Sequence, residues 1–217
     1  MGQREFEQYA DAGLQLRLDA ATDRLAGEFE GVYDRETIKA AVEGSARALS
    51  TEGVTPYVHI LAERFTRERL RAQAQSEHRI DKTVPEVVFV SLGGGGRAQM
   101  GAAMLADRAG EAVSVHCAGS AASREIDDNV RAALNEIGID LGEEAFVRPV
   151  TGEVLSAADI VVTMGRSVGE VDIPDSARHV DWRVGNPAGA DLEEVRRVRD
   201  DIVRRVDMLA DELSAAG

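Results

Sequence analysis

Four consecutive glycines, Gly93, Gly94, Gly95 and Gly96, stand between the apolar run Val87-Val88-Phe89-Val90-Ser91 and a segment that opens with Arg97. That order has the layout of an oxyanion cradle. Glycines let successive backbone N–H groups turn inward, a following helix adds the partial positive charge of its N-terminus, and Arg97 offers a forked donor to a tetrahedral anion. The same strand, turn and helix also occur in α/β proteins that bind nothing there, and an arginine in a first helical turn can instead pair with a carboxylate or stay solvated. Neither nucleotide fingerprint fits: no Lys-Ser or Lys-Thr follows the glycines, and their spacing is wrong for the dinucleotide pattern.

Other reactive side chains are few. Cys117 is the one cysteine, which excludes an intrachain disulfide and a cysteine-based metal cluster. At the end of an apolar segment it reads as a core residue rather than a redox centre. The histidines His59, His78, His116 and His179 lack metal-ligand spacing and read as structural or surface residues, so neither a metal nor a cofactor is expected.

The elements that must position the loop come from hydrophobic periodicity. Up to about residue 81 the patterns are helical: Leu14, Leu18, Ala21, Leu25 and Phe29 form one stripe, and Ile38, Ala41, Val42, Ala46 and Leu49 a second behind a capping Asp34. Val58, Leu61, Ala62 and Phe65 form a third after Thr55-Pro56, while the alternating charges of residues 63–71 predict a solvated face. From Glu86 onward, strands expected near 87–91, 112–117, 159–164 and 178–182 alternate with helices near 97–109, 124–138 and 191–213. The expectation is a small helical bundle over 1–84, then an α/β domain over 85–217 with a four-stranded parallel sheet and helices on both faces.

Charge narrows the partners. With 39 acidic against 25 basic residues, the net charge of −14 disfavours a nucleic-acid backbone. No apolar run approaches a membrane span, and the polar residues 1–11 contain no apolar signal segment, so the expected location is the cytoplasm.

Once the elements are placed, residues 87–213 resemble the arsenate reductase and low-molecular-weight protein tyrosine phosphatase family. The family loop C-x-x-N-x-G-R-S corresponds to Ser91-Leu92-Gly93-Gly94-Gly95-Gly96-Arg97-Ala98, with Gln99-Met100 following. Ala118-Gly119-Ser120, Gly138-Ile139-Asp140-Leu141, the run from Ala158 to Gly165, Asp181-Trp182 and Asn186-Pro187-Ala188-Gly189 fall in family order. The N-terminal segment is similar to the three-helix domain of some bacterial arsenate reductases, through Leu61-Ala62-Glu63-Arg64-Phe65 and Arg69-Leu70.

The resemblance implies a cysteine thiolate that attacks phosphorus or arsenic while the loop arginine holds the equatorial oxygens. Here Ser91 takes the nucleophile position, and no base in the loop activates its hydroxyl. Asn186 takes the place of the aspartate that acts as general acid and cannot serve as one. Gly94 replaces the asparagine that braces the loop, and Ala98 the hydroxyl that stabilises the thiolate. A laboratory cysteine-to-serine exchange would account for Ser91 and leave the other three unexplained. Arsenate reduction also needs resolving thiols, and Gly165-Arg166-Ser167-Val168-Gly169 supplies none.

The expectation is therefore an inactive member of the family that binds phosphate, sulfate, arsenate or a phosphorylated partner, as a binding or regulatory module. Two alternatives stand beside it. One is an enzyme with residual or altered phosphatase or arsenate reductase chemistry, in which Asp181 or Asp191 supplies acid–base function to water or Ser91. The other is a structural module that self-associates through its helical bundle.

Overall fold

The computed structural model describes residues 3–51, 57–91, 96–119, 126–141, 148–165 and 171–216, with the side chains of all of these except 3–12, 51, 148 and 216. The chain divides into two compact units, Met1–Asp81 and Lys82–Gly217.

The first unit consists of α1 (Gln3–Glu28), α2 (Arg35–Thr51) and α3 (Val58–Ser76). Leu18, Ala21, Leu25 and Phe29 pack with Ile38, Val42, Leu49, Leu61 and Phe65 in its core, while Leu14 and Ala41 are only half-buried. Asp34 caps α2 by accepting from the Thr37 N–H at 2.7 Å, a bond that lowers its carboxyl pKa. The charged run of α3 does more than face water. Glu63 is gripped by Arg24 through Nε and Nη2 at 3.1 and 2.6 Å, and Arg67 Nε reaches Glu28 at 2.7 Å, so two ion pairs tie α3 to α1.

The second unit carries the sheet. Its parallel strands are β1 (Glu86–Ser91), β2 (Ser114–Gly119), β3 (Arg148–Pro149), β4 (Ile160–Met164) and β5 (Arg178–Trp182), ordered β3-β2-β1-β4-β5. The four expected strands are present, and β3 adds a two-residue fifth at the β2 edge. β2 begins two residues later than the periodicity places it, because Gly110–Ala112 forms a short 3-10 turn after α4 (Arg97–Ala109). Ala118 and Gly119 therefore belong to the strand. Asp127 caps α5 (Asp128–Asn135), Asp191 caps α7 (Leu192–Ala216), and the short α6 (Gly152–Ala157) is an element that periodicity did not reveal.

Alternation along the strands divides the core. Val87, Phe89, Val162, Met164 and Trp182 face α4, α5 and α7, where Met100, Leu105, Leu134 and Ile202 complete the packing. The Phe89 and Trp182 rings meet edge to face with centroids 5.6 Å apart. Val88, Val90 and Val161 point the other way and are buried too, on the face where α6 packs against β1.

Candidate functional site

The C-terminal ends of β1, β4 and β5 converge where an open parallel sheet presents its crevice. Ser91 ends β1 and is buried, and Arg97 opens α4. Gly93, Gly94 and Gly95 lie outside the described residues. Gly96, the last of the four, is the N-cap of α4 with φ +77°, and its carbonyl accepts the Met100 N–H at 2.8 Å. A Cβ on Gly96 would sit 2.9 Å from Val130 Cγ1, so α5 leaves no room there for any side chain.

Arg97 is turned inward and is only 6% exposed. Its Nε donates to Ser91 Oγ at 3.2 Å, which joins the two ends of the loop. Burial pushes the guanidinium pKa below its ordinary value. Across from it runs Gly165, just past β4, with φ +99° and its N–H donated to the Trp182 carbonyl at 3.2 Å. Ala98, next to Arg97, is buried in the hydrophobic core. The described part of the site is thus a buried guanidinium at a helix N-terminus, bonded to the hydroxyl that ends the central strand.

Asn186 is exposed, on the segment after β5. Its Oδ1 accepts the Ala188 N–H at 3.4 Å. The N-terminus of α5 anchors this segment: Asp127 Oδ2 accepts the Gly189 N–H at 3.2 Å, and Asn129 Nδ2 donates to the Ala190 carbonyl at 2.9 Å. Asp181 and Asp191 already have structural tasks. Asp181 opposes Thr163, so it points to the sheet face opposite Ser91, Met164 and Trp182, and its Oδ2 pairs with Arg183 Nε at 3.0 Å. Asp191 Oδ1 accepts the Glu194 N–H at 2.9 Å at the start of α7.

The histidines are dispersed. His116 Nε2 lies 2.8 Å from Glu86, His179 Nε2 2.8 Å from Thr163 Oγ1, and His59 3.4 Å from Arg17, while His78 lies just past the C-cap of α3 with φ 56°. Among the described residues no group of three or more His, Cys, Asp or Glu side chains can hold a metal ion. Cys117 is half-buried in β2 opposite Phe89. Sequence reasoning missed Val130, Asp127, Asn129 and the role of Gly165. Gly165 carried a local signal, as a glycine directly after an apolar strand, and Asp127 that of a helix cap, whereas Val130 and Asn129 carried none.

Comparison with known proteins assigns the family and the fold. Residues 86–216 match the family described as low molecular weight phosphotyrosine protein phosphatase, and residues 18–74 match a protein-tyrosine-phosphatase-like N-terminal domain. The chain belongs to the low-molecular-weight phosphatase and arsenate reductase family, with a helical domain in front. Its relatives include a Halobacterium salinarum protein provisionally named arsenate reductase, 35% identical over 132 residues that make up 58% of this chain and 91% of that protein. A Brevibacillus brevis arsenate reductase is 30% identical over 127 residues, 58% of this chain and 93% of the relative. Among solved structures, a thioredoxin-dependent arsenate reductase from Corynebacterium glutamicum superposes with a TM-score of 0.79 at 29% identity, over 92% of this chain and 97% of the other. Among the described residues no helix is long and apolar enough to cross a membrane.

Proposed function

We propose that this chain is a non-catalytic member of its family, which binds a small oxyanion (phosphate, sulfate or arsenate), or the phosphoryl group of a phosphorylated partner, without turning it over. The contact between Arg97 and Ser91 carries the reading. A guanidinium taken out of water gains more from an anion than an exposed one does, and the amides of the first turn of α4 lie beside it to share the charge. The hydroxyl at the nucleophile position accepts a hydrogen bond from that arginine, a donor that cannot take its proton. An alcohol held this way lacks the acidity that makes a thiolate reactive. The side chain at the acid position is a carboxamide engaged in a turn.

The alternative, altered phosphatase or reductase chemistry, loses support from the positions of Asp181 and Asp191. With a single cysteine, arsenate reduction ending in an intrachain disulfide is not available. We place the protein in the cytoplasm and assign self-association to the helical bundle, which light scattering of the whole chain tests. The functional reading is tested by assaying aryl-phosphate hydrolysis and arsenate reduction while titrating the same anions against stability. Binding without turnover is expected. Turnover that copurifies with the protein and vanishes in Arg97→Ala would overturn it.

A further inference from the structure

We infer that Gly165 is the positioning residue for Arg97, the platform that decides where the guanidinium points. A Cβ built on Gly165 would lie 2.6 Å from Arg97 Nη1, 3.0 Å from Cζ and 3.1 Å from Nη2. All three outer guanidinium atoms therefore crowd one point, so the planar group lies over the backbone at the end of β4. Ser91 Oγ holds the Nε edge at 3.2 Å while Gly165 supports the outer end. These contacts fix the fork from two sides. The φ of +99° turns the Gly165 backbone so that only hydrogen faces the arginine. A methyl group there would meet the far end of a side chain rather than backbone, so the guanidinium moves and the surrounding fold stays. Gly165 thus acts on the oxyanion site through Arg97, without touching the ligand. The proposal deepens the oxyanion reading, and its packing test is independent of that reading.

The experiment uses the full chain and four variants: Gly165→Ala, Arg97→Ala, their combination, and Gly138→Ala. Gly138 has φ +83° with open space at its Cβ position, so its variant carries comparable backbone strain without a collision. Melting is followed by fluorescence of Trp182, the sole tryptophan, which reports the second unit. In chloride buffer, Gly165→Ala should lower the melting temperature by more in the native background than in Arg97→Ala, because the cost of positive φ cancels in the double-mutant cycle and the collision does not. The Arg97 Nε–H nuclear magnetic resonance signal should shift in Gly165→Ala and stay put in Gly138→Ala. Inorganic phosphate should bind Gly165→Ala about tenfold more weakly, the loss expected for one charged hydrogen bond, and Gly138→Ala normally. Equal melting losses in both backgrounds, or an unmoved Nε–H signal, would overturn the proposal. Failure of both Gly165 variants to fold would do the same by assigning the glycine to backbone conformation alone. If the native protein ignores phosphate while the cycle shows coupling, the oxyanion reading fails and the positioning role stands.

Discussion

Removing the Arg97 side chain should abolish anion-dependent stabilisation while barely changing the anion-free protein. Two terms oppose each other in the anion-free state. Arg97→Ala gives up the guanidinium's hydrogen bonds, the one to Ser91 Oγ among them, at about 1.5–3 kcal/mol each for a charged donor, and relieves a desolvation penalty of roughly several kcal/mol for a buried ion. These offset, so the melting temperature in chloride should stay nearly constant. With anion the balance changes. Millimolar affinity corresponds to about 4 kcal/mol, and anion at a hundredfold excess over the dissociation constant, near 0.1 M, stabilises the native state by about 2.7 kcal/mol. For a unit of this size that raises the melting temperature by roughly 5–10 °C. Phosphate and sulfate also stabilise proteins generally by exclusion from their surface, so the informative quantity is the difference between native and Arg97→Ala chains at matched ionic strength. Trp182 fluorescence isolates the second unit in the melt. Equal shifts in both chains, or no shift in either, would refute the reasoning and favour the structural-module reading.

Three further outcomes are expected. Ser91→Cys alone should stay near background in a phosphatase assay, whereas Ser91→Cys combined with Gly94→Asn, Ala98→Ser and Asn186→Asp should recover measurable turnover; equal activity in the two would show that the loop had not been impaired as argued. Gly96→Ala should destabilise the second unit by about 2–4 kcal/mol in urea titrations, since it combines positive φ with a Cβ 2.9 Å from Val130, and a loss below about 1 kcal/mol would contradict that packing. Glu136 is held at about 2, below its ordinary 4.5, first by its hydrogen bond from Arg196 and then by Arg199. A depressed carboxyl contributes stability that is complete above the unfolded value and fades as pH falls from about 4.5 toward 2. Glu136→Gln should therefore flatten the fall in melting temperature across that window, and an unchanged pH profile would count against the pairing.

Much was legible in the sequence because the relevant information is local. The three apolar stripes of the bundle, the continuous hydrophobic run of β1, the cap at Asp34 and the start of α4 at Arg97 follow from periodicity and turn chemistry acting over a few residues. The departures at Ser91, Gly94, Ala98 and Asn186 could be read because each occupies a fixed place in a motif. One local signal misled by a small margin, since β2 starts late because a 3-10 turn follows α4, and another was incomplete, since the charged face of α3 is partly exposed as expected but also pairs with α1.

Tertiary structure decided which chemistry these residues can perform. Asp181 and Asp191 are equally plausible acids in a linear sequence, but strand alternation turns Asp181 to the sheet face opposite Ser91, and a helix start engages Asp191. The burial of Arg97, its bond to Ser91, the Gly165 platform 68 positions away and the anchoring of the Asn186 segment by Asp127 and Asn129 arise where separate βα units meet. Spacing along the chain records the hydrogen bonds and periodicities a segment makes with itself. Contacts between segments depend on sheet order and on which side each strand presents, and those are fixed only when the units pack into one core.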